Sequence, residues 1–268
     1  MKLSENTIKT VVSDFDGTLL RGSMNEPSDK FYRVLGAMLD QDIQFVAASG
    51  RQYPSLKRML SDVSDKVGFI AENGALVVWK GKVIHKCVIE KEQAWELIED
   101  MKHQPDSEIL ACGEKTSYSV PNSIAFIDGL HKGNIVVTVL PDFREIDEEI
   151  MKVSIIYPKG IPAEAKAYFK EKYENRFLIV ESGNGWLDFM PKECGKGPAL
   201  QILSRAADFS LDQTVAFGDQ ENDISMLRAA GVGYAMNTAY DHVKKAADHT
   251  CDVVEDVLFE ALGESFDK

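Results

Sequence analysis

The sequence predicts an α/β fold, a parallel sheet with crossover helices, into which a separate α+β unit is inserted. Short β-rich runs alternate with segments of helical period as far as Ala71, and the same alternation resumes after Pro191. Between them the rhythm changes to several strands with two helices. Residues 1–84 and 190–268 are therefore expected to form a core, and residues 85–189 an insertion of the kind that surface connections tolerate.

Each element has a local reason. A β-rich run at 10–13 ends in a loop at Asp14, and residues 28–39 set Phe31, Val34, Leu35, Met38 and Leu39 at helical spacing. A strand at 43–48, a helix at 53–60 and a strand at 68–71 continue the alternation. Two runs at 75–79 and 82–86 flank Gly81 as a hairpin. In the insertion, helices at 91–103 and 163–173 accompany strands at 108–112, 134–140, 151–157, 177–181 and 186–190. The final segment reads as helix 197–207, strand 214–217, helix 222–230, strand 232–236, helix 240–247, strand 252–254 and a terminal helix.

Thirty Lys and Arg stand against 43 Asp and Glu, a formal net charge of −13 over 268 residues. Such a surplus repels phosphate backbones and anionic lipid, which argues against nucleic acid and membrane surfaces as partners. No apolar run reaches the length of a membrane span, and residues 1–10 lack the apolar core of a signal peptide. A mature start and a cytoplasmic location are the expectation. Cys87, Cys112, Cys194 and Cys251 lie far apart without zinc spacing, so they are expected to be free thiols.

Four short segments are each expected just after the C-terminal end of a core strand, where ligands bind in open α/β sheets. In Asp14-Phe-Asp16-Gly17-Thr-Leu-Leu20, residues two apart share a face, so both carboxylates can address one ligand. Gly17 permits a sharp turn that leaves backbone amides open to an anion. Ser49-Gly50-Arg51 sets a hydroxyl and a glycine amide before a helix, a natural phosphate seat. Gly195-Lys196-Gly-Pro-Ala-Leu200 puts a cation at a helix start, against the helix dipole, which calls for an anionic partner. Phe217-Gly-Asp219-Gln-Glu-Asn222-Asp223 gathers oxygen ligands at another helix start. Taken singly, each also reads as a cap, a turn or a solvated charge. Jointly, Asp14, the Asp16 carbonyl and Asp219 supply hard oxygens suited to Mg²⁺, while Ser49, Lys196 and the loop amides supply donors for phosphate.

The order DFDGTLL, SGR, GKGPAL and GDQEND resembles the haloacid dehalogenase (HAD) superfamily of phosphohydrolases. The insertion between the second and third motifs, with Ala71-Glu-Asn-Gly-Ala75, resembles the Cof-type subclass IIB with a C2B cap. The resemblance implies a Rossmann-like core, Mg²⁺ as cofactor and a small phosphorylated metabolite, such as a sugar phosphate, as substrate. It implies that Asp14 is the nucleophile that takes up the phosphoryl group, and Asp16 the general acid and then base. It further implies that Ser49, Gly50, Gly17, Lys196 and Asn222 hold phosphate, with Asp219 anchoring the metal and Asp223 in or beside its shell. An acid role requires Asp16 to be shifted upward by cap closure and nearby carboxylates.

Selection of the leaving group is expected to fall to the cap. Trp186, in the loop 181–186, is the first candidate contact, with the stretch 113–118 a second and Asn73 a third. Cys194 lies near the mouth without a chemical role. Two other activities share these residues: transfer of the phosphoryl group to a second hydroxyl, and phosphometabolite binding without turnover.

Overall fold

The computed structural model describes residues 8–22, 24–182 and 185–262. In chain order the first elements are β1 (Thr10–Ser13), α1 (Asp29–Asp40), β2 (Gln44–Ala48), α2 (Tyr53–Met59), β3 (Gly68–Ala71), β4 (Leu76–Trp79) and β5 (Lys82–Lys86). Next come α3 (Lys91–Met101), β6 (Glu108–Cys112), β7 (Ser117–Ser119), α4 (Ile124–Lys132), β8 (Val137–Val139), β9 (Lys152–Ile156), α5 (Ala163–Tyr173), β10 (Phe177–Ser182) and β11 (Trp186–Pro191). The chain continues with α6 (Lys196–Ala206), β12 (Thr214–Gly218), α7 (Ile224–Ala229), β13 (Val232–Met236), α8 (Asp241–Lys244), β14 (His249–Cys251) and α9 (Val254–Leu262).

Two sheets organise these elements. The larger has the order β14-β13-β12-β1-β2-β3-β4-β5, parallel from β14 to β3 and antiparallel through the β4–β5 hairpin. Its inner strands β1, β3 and β12 are buried on both faces, as a doubly covered parallel sheet requires. Side chains alternate across it: Val11, Phe45 and Phe69 pack toward α1, α2 and α9, whereas Val12, Val46 and Ile70 pack toward α6, α7 and α8. This is the expected α/β, Rossmann-like core. Chain order runs outward from β1 in both directions, so the switch point lies between β1 and β12, where a crevice opens at the carboxyl ends of the strands.

The smaller sheet has the order β10-β11-β9-β6-β7-β8. One face carries Val153, Ile155, Leu187 and Phe189 against Leu97, Ile98, Phe169 and Tyr173 of α3 and α5. The opposite face, reached by the alternate residues Lys152, Ser154, Trp186 and Asp188, looks toward the core. Lys86 ends β5, the last strand of the larger sheet before the insertion, and Pro191 ends β11, the last strand of the smaller sheet, beside the junctions expected at 84/85 and 189/190.

Several elements differ from the sequence reading. The last strand is His249–Cys251 and not 252–254, because Tyr234–Met236 pair with it and Val254 already opens α9. Helix α4 has no counterpart in the reading: its run of Ile124, Ala125, Phe126 and Ile127 obscures helical period, and only Leu130 is buried. Ser123 nevertheless caps it, its hydroxyl accepting from the Phe126 N–H at 3.3 Å. The strand read at 134–140 shortens to Val137–Val139, paired in parallel with Ser117–Ser119. The helix expected over 222–230 starts as a 3₁₀ turn at Glu221–Asp223, since the Asp223 side chain folds back onto the chain. The expected mature start falls mostly on residues 1–7, and part of the loop 181–186 on residues 183–184, both outside the described residues.

Candidate active site

The ends of β1 and β12 bring the first and fourth motifs together, whereas the third follows β11 of the smaller sheet, not a core strand, and reaches them from the start of α6. Asp14 continues β1, held by its N–H donating to the Phe217 carbonyl at 2.9 Å, and is only 4% exposed. Lys196, at the start of α6 and 1% exposed, donates from Nζ to Asp14 Oδ1 and to Asp223 Oδ1, both at 2.6 Å. The other Asp223 oxygen accepts the N–H groups of Asp219 and Gln220 at 2.9 and 3.0 Å, which pins the loop after β12. Asp219 accepts from Thr18 Oγ1 at 2.8 Å and Gln220 Nε2 at 2.9 Å.

Charge is crowded here. Burial pushes the Asp14 carboxyl well above the usual carboxylate range; Lys196 opposes the shift, and Asp223 and Asp219 add to it. Burial likewise raises Asp219, opposed by the Thr18 hydrogen bond. Burial disfavours the Lys196 ammonium, yet Asp14 and Asp223 outweigh it and hold the lysine charged.

A hard divalent cation fits these residues. Asp14, Asp219 and Asp223 offer carboxylate oxygens within 4.8 Å of one another, and one lysine does not balance three buried carboxylates. Gly17 is shaped for the same pocket: at φ +89° it adopts a left-handed conformation, and a Cβ there would lie 2.2 Å from Asp219 Oδ2. Oxygen donors of this type suit Mg²⁺.

Asp16 sits apart from that cluster. Its side chain is half exposed and forms a two-pronged pair with Arg51, Nε to Oδ2 at 2.7 Å and a terminal nitrogen to Oδ1 at 2.6 Å. Its partner is a cation. The Asp16 side chain is therefore outside the carboxylate triad.

The second motif supplies the opposite wall. Ser49 is buried at the end of β2, its hydroxyl accepting the Arg51 N–H at 3.1 Å, and Gly50 lines the same cavity. Asn222 donates from Nδ2 to Asn73 Oδ1 at 2.7 Å, which links the fourth motif to the turn after β3. Asn73 is 1% exposed and reaches toward Asp188 of the smaller sheet at 3.5 Å.

Asp14, Asp16, Ser49, Arg51, Asn73, Lys196 and Asn222 face one cavity of about 1320 Å³ between the two sheets, with Asp219 and Asp223 behind its lining. From the smaller sheet come Leu110, Ile179, Trp186 and Asp188, so the polar floor is roofed by a largely apolar wall. Trp186 lies on that wall and Cys194 on the rim, whereas the stretch 113–118 does not line the cavity. Ser117 is instead buried against Gln52 and Cys112, and Tyr118 donates to Glu148 at 2.8 Å. The expectation of substrate contacts from that stretch is corrected accordingly.

The family model for haloacid dehalogenase-like hydrolases matches residues 11–259. The chain belongs to this family. The Escherichia coli K12 protein YbjI, a 5-amino-6-(5-phospho-D-ribitylamino)uracil phosphatase, is 26% identical over 264 residues, covering 94% of this chain and 97% of the relative. The solved structure of SMU.1108c from Streptococcus mutans UA159 is 30% identical with a TM-score of 0.83, covering 95% and 99% of the two chains. The subclass IIB sugar phosphatase BT4131 shares the fold at a TM-score of 0.79 and 23% identity, over 94% of this chain and 98% of its own.

This haloacid dehalogenase-like hydrolase also uses residues the motifs did not single out for a role. Arg51, quoted only as part of a motif, holds Asp16; Thr18 holds Asp219. Glu72, Lys152 and Asp188 form a buried charged group between the sheets. A signal for them exists in the sequence. Lys152 and Asp188 are the single charges of their largely apolar strands, and buried charges persist only when paired.

Proposed function

We propose that this chain is a Mg²⁺-dependent phosphomonoesterase that hydrolyses small phosphorylated metabolites through a phosphoryl group carried on Asp14. The observation that carries the reading is Lys196 bridging Asp14 and Asp223 at 2.6 Å each, with Asp219 completing a carboxylate triad. Asp14, Asp219 and Asp223, with the Asp16 carbonyl, would hold the Mg²⁺, whose charge offsets the phosphate's. Lys196 and Ser49 orient the phosphoryl oxygens, with the amides of Gly17 and Gly50 and the side chain of Asn222 beside them.

Asp14 Oδ attacks phosphorus as the bond to the leaving oxygen breaks, and Asp16 delivers a proton to that oxygen. Water then attacks the phosphorus of the aspartyl phosphate. Asp16 takes the water's proton and Asp14 departs as a carboxylate. In this sequence Asp16 exchanges Arg51 for the leaving oxygen, and Arg51 turns to the phosphoryl group. Residues 85–189 act as the cap, and the cavity volume accommodates a metabolite-sized leaving group. The phosphorylated ribityl compound named for the Escherichia coli relative is of this scale. Among the described residues no helix is long and apolar enough to cross a membrane, and all four cysteines are free, in keeping with a cytoplasmic enzyme.

A panel of phosphorylated metabolites assayed with Mg²⁺ tests this reading. Turnover is expected to fall to background on addition of a chelator and to return when Mg²⁺ is restored in excess. Turnover unaffected by chelation would overturn the metal assignment.

Trp186→Ala probes the cap wall. It is expected to change kcat/KM by about tenfold among metabolites of different leaving group, while hydrolysis of a minimal phosphate ester changes less than about threefold. Equal losses on every substrate would point to disturbed packing of β11 instead.

A further inference from the structure

The phosphate-seat loop 49–51 is held from behind by three successive carbonyls, and the middle one is held by the cap. The Ser49 carbonyl accepts from the Asn73 N–H at 3.0 Å and the Arg51 carbonyl from the Glu72 N–H at 3.0 Å, both within the core. Between them, the Gly50 carbonyl accepts from Lys152 Nζ, on β9 of the smaller sheet, at 3.1 Å. Lys152 is 4% exposed and also contacts Glu72 Oε2 at 2.5 Å and Asp188 Oδ2 at 3.7 Å, so its charge is spent within the protein.

The core side of this contact is built at a cost in backbone energy. Glu72 and Asn73 have φ of 50° and 54°, left-handed values that non-glycine residues seldom adopt. That turn aims the Glu72 carboxylate at Lys152 and the Asn73 amide between Asn222 and Asp188. Both Glu72 carboxylate oxygens are buried without a hydrogen-bond partner, so the ion pair with Lys152 is what makes the buried carboxylate tolerable. Burial works against the lysine's charge, and Asp188 and Glu72 more than restore it. A second tie from the insertion meets the same loop: the Val136 N–H donates to Gln52 Oε1 at 2.8 Å and the Val136 carbonyl accepts from Gln52 Nε2 at 3.0 Å.

We propose that Lys152 is a positioning residue that fixes the Gly50–Arg51 peptide from the cap, so that the phosphate seat and the Arg51–Asp16 pair are set only when the cap rests on the core. The proposal rests on the phosphatase reading for its consequence in catalysis, and on hydrogen bonds alone for its consequence in structure. Lys152 touches no reacting atom. It acts through the loop that does.

The test uses the full chain. Lys152→Met alone leaves Glu72 and Asp188 without their cation and risks misfolding, so the informative variant is Lys152→Met with Glu72→Gln, in which Asp188 keeps the hydroxyls of Ser154 and Ser182 as donors. Two measurements are made: competitive inhibition by inorganic phosphate with an aryl phosphate as substrate, and amide hydrogen exchange. The expected result is an inhibition constant for phosphate raised tenfold or more. Exchange in residues 49–52 is expected to be at least tenfold faster, with residues 10–13 and 214–218 unchanged. Parent-like exchange at 49–52 together with a parent-like inhibition constant would overturn the proposal, whatever the melting temperature does. If the parent itself neither hydrolyses the ester nor binds phosphate, the phosphatase reading fails. The exchange result then decides alone whether Lys152 holds the loop.

Discussion

Asp14→Asn is expected to lower turnover of an aryl phosphate by more than about 10³-fold while leaving the fold intact. The amide keeps the shape of the carboxylate but cannot attack phosphorus, and no other described carboxylate stands where Asp14 does at the end of β1. Lys196 retains Asp223 as partner at 2.6 Å, so the substitution does not strand the buried ammonium. Stability gives an independent check. The folded Asp14 carboxyl titrates well above its reference of 3.8, chiefly through burial, so the folded protein binds the extra proton in the interval above 3.8. Stability of the metal-free parent therefore falls as pH rises through that interval. The Asn variant lacks this loss. Without metal it should melt no lower than the parent at pH 7, and the two should converge as the pH is lowered toward 3.8. Residual hydrolysis above a few per cent of the parent rate would disprove the nucleophile assignment.

The parts of the site legible in the sequence were those in which one short segment carries its own geometry. Asp14 and Gly17 lie on one strand end and turn, and Asp219 and Asp223 on one turn into a helix, so their joint orientation is local. What sequence could not reveal depends on register between distant strands. Arg51 reaches Asp16 because β1 and β2 pair with Ser13 beside Ala47, which sets the two following loops side by side. The charge paired with the Asp16 side chain therefore comes from the neighbouring loop. Lys152, Glu72 and Asp188 meet only because the smaller sheet turns one face of β9 and β11 onto the turn after β3. The fold was legible where period was unambiguous, as in α1 and β2. It was lost in α4, whose apolar residues run consecutively and whose face is half exposed.

Lys196→Met separates the two duties that one ammonium performs. As an electrostatic support, Lys196 offsets two buried carboxylates, and removing one member of such a group costs about 3–5 kcal/mol. As a phosphate donor it acts only when substrate is present, and loss of one such donor costs about 10²–10³ in kcat. The variant is therefore expected to be both less stable and at least about 10²-fold slower. The two effects part under different conditions. The folded lysine titrates above its reference of 10.5, so the parent keeps this stabilisation in full below 10.5 and loses it as pH rises from there through the folded value. In the variant, Asp14 and Asp223 repel without relief, so its stability should rise as pH falls and a carboxyl takes up a proton. Saturating Mg²⁺ should return part of the lost melting temperature, since the ion supplies charge to the same carboxylates. It should not return kcat, because the donor to the phosphoryl oxygens is still missing. Full recovery of rate by Mg²⁺ would mean that Lys196 only neutralises the carboxylates. An unchanged melting temperature with lost activity would mean that the buried pair carries no net stability, leaving Lys196 with the phosphate alone.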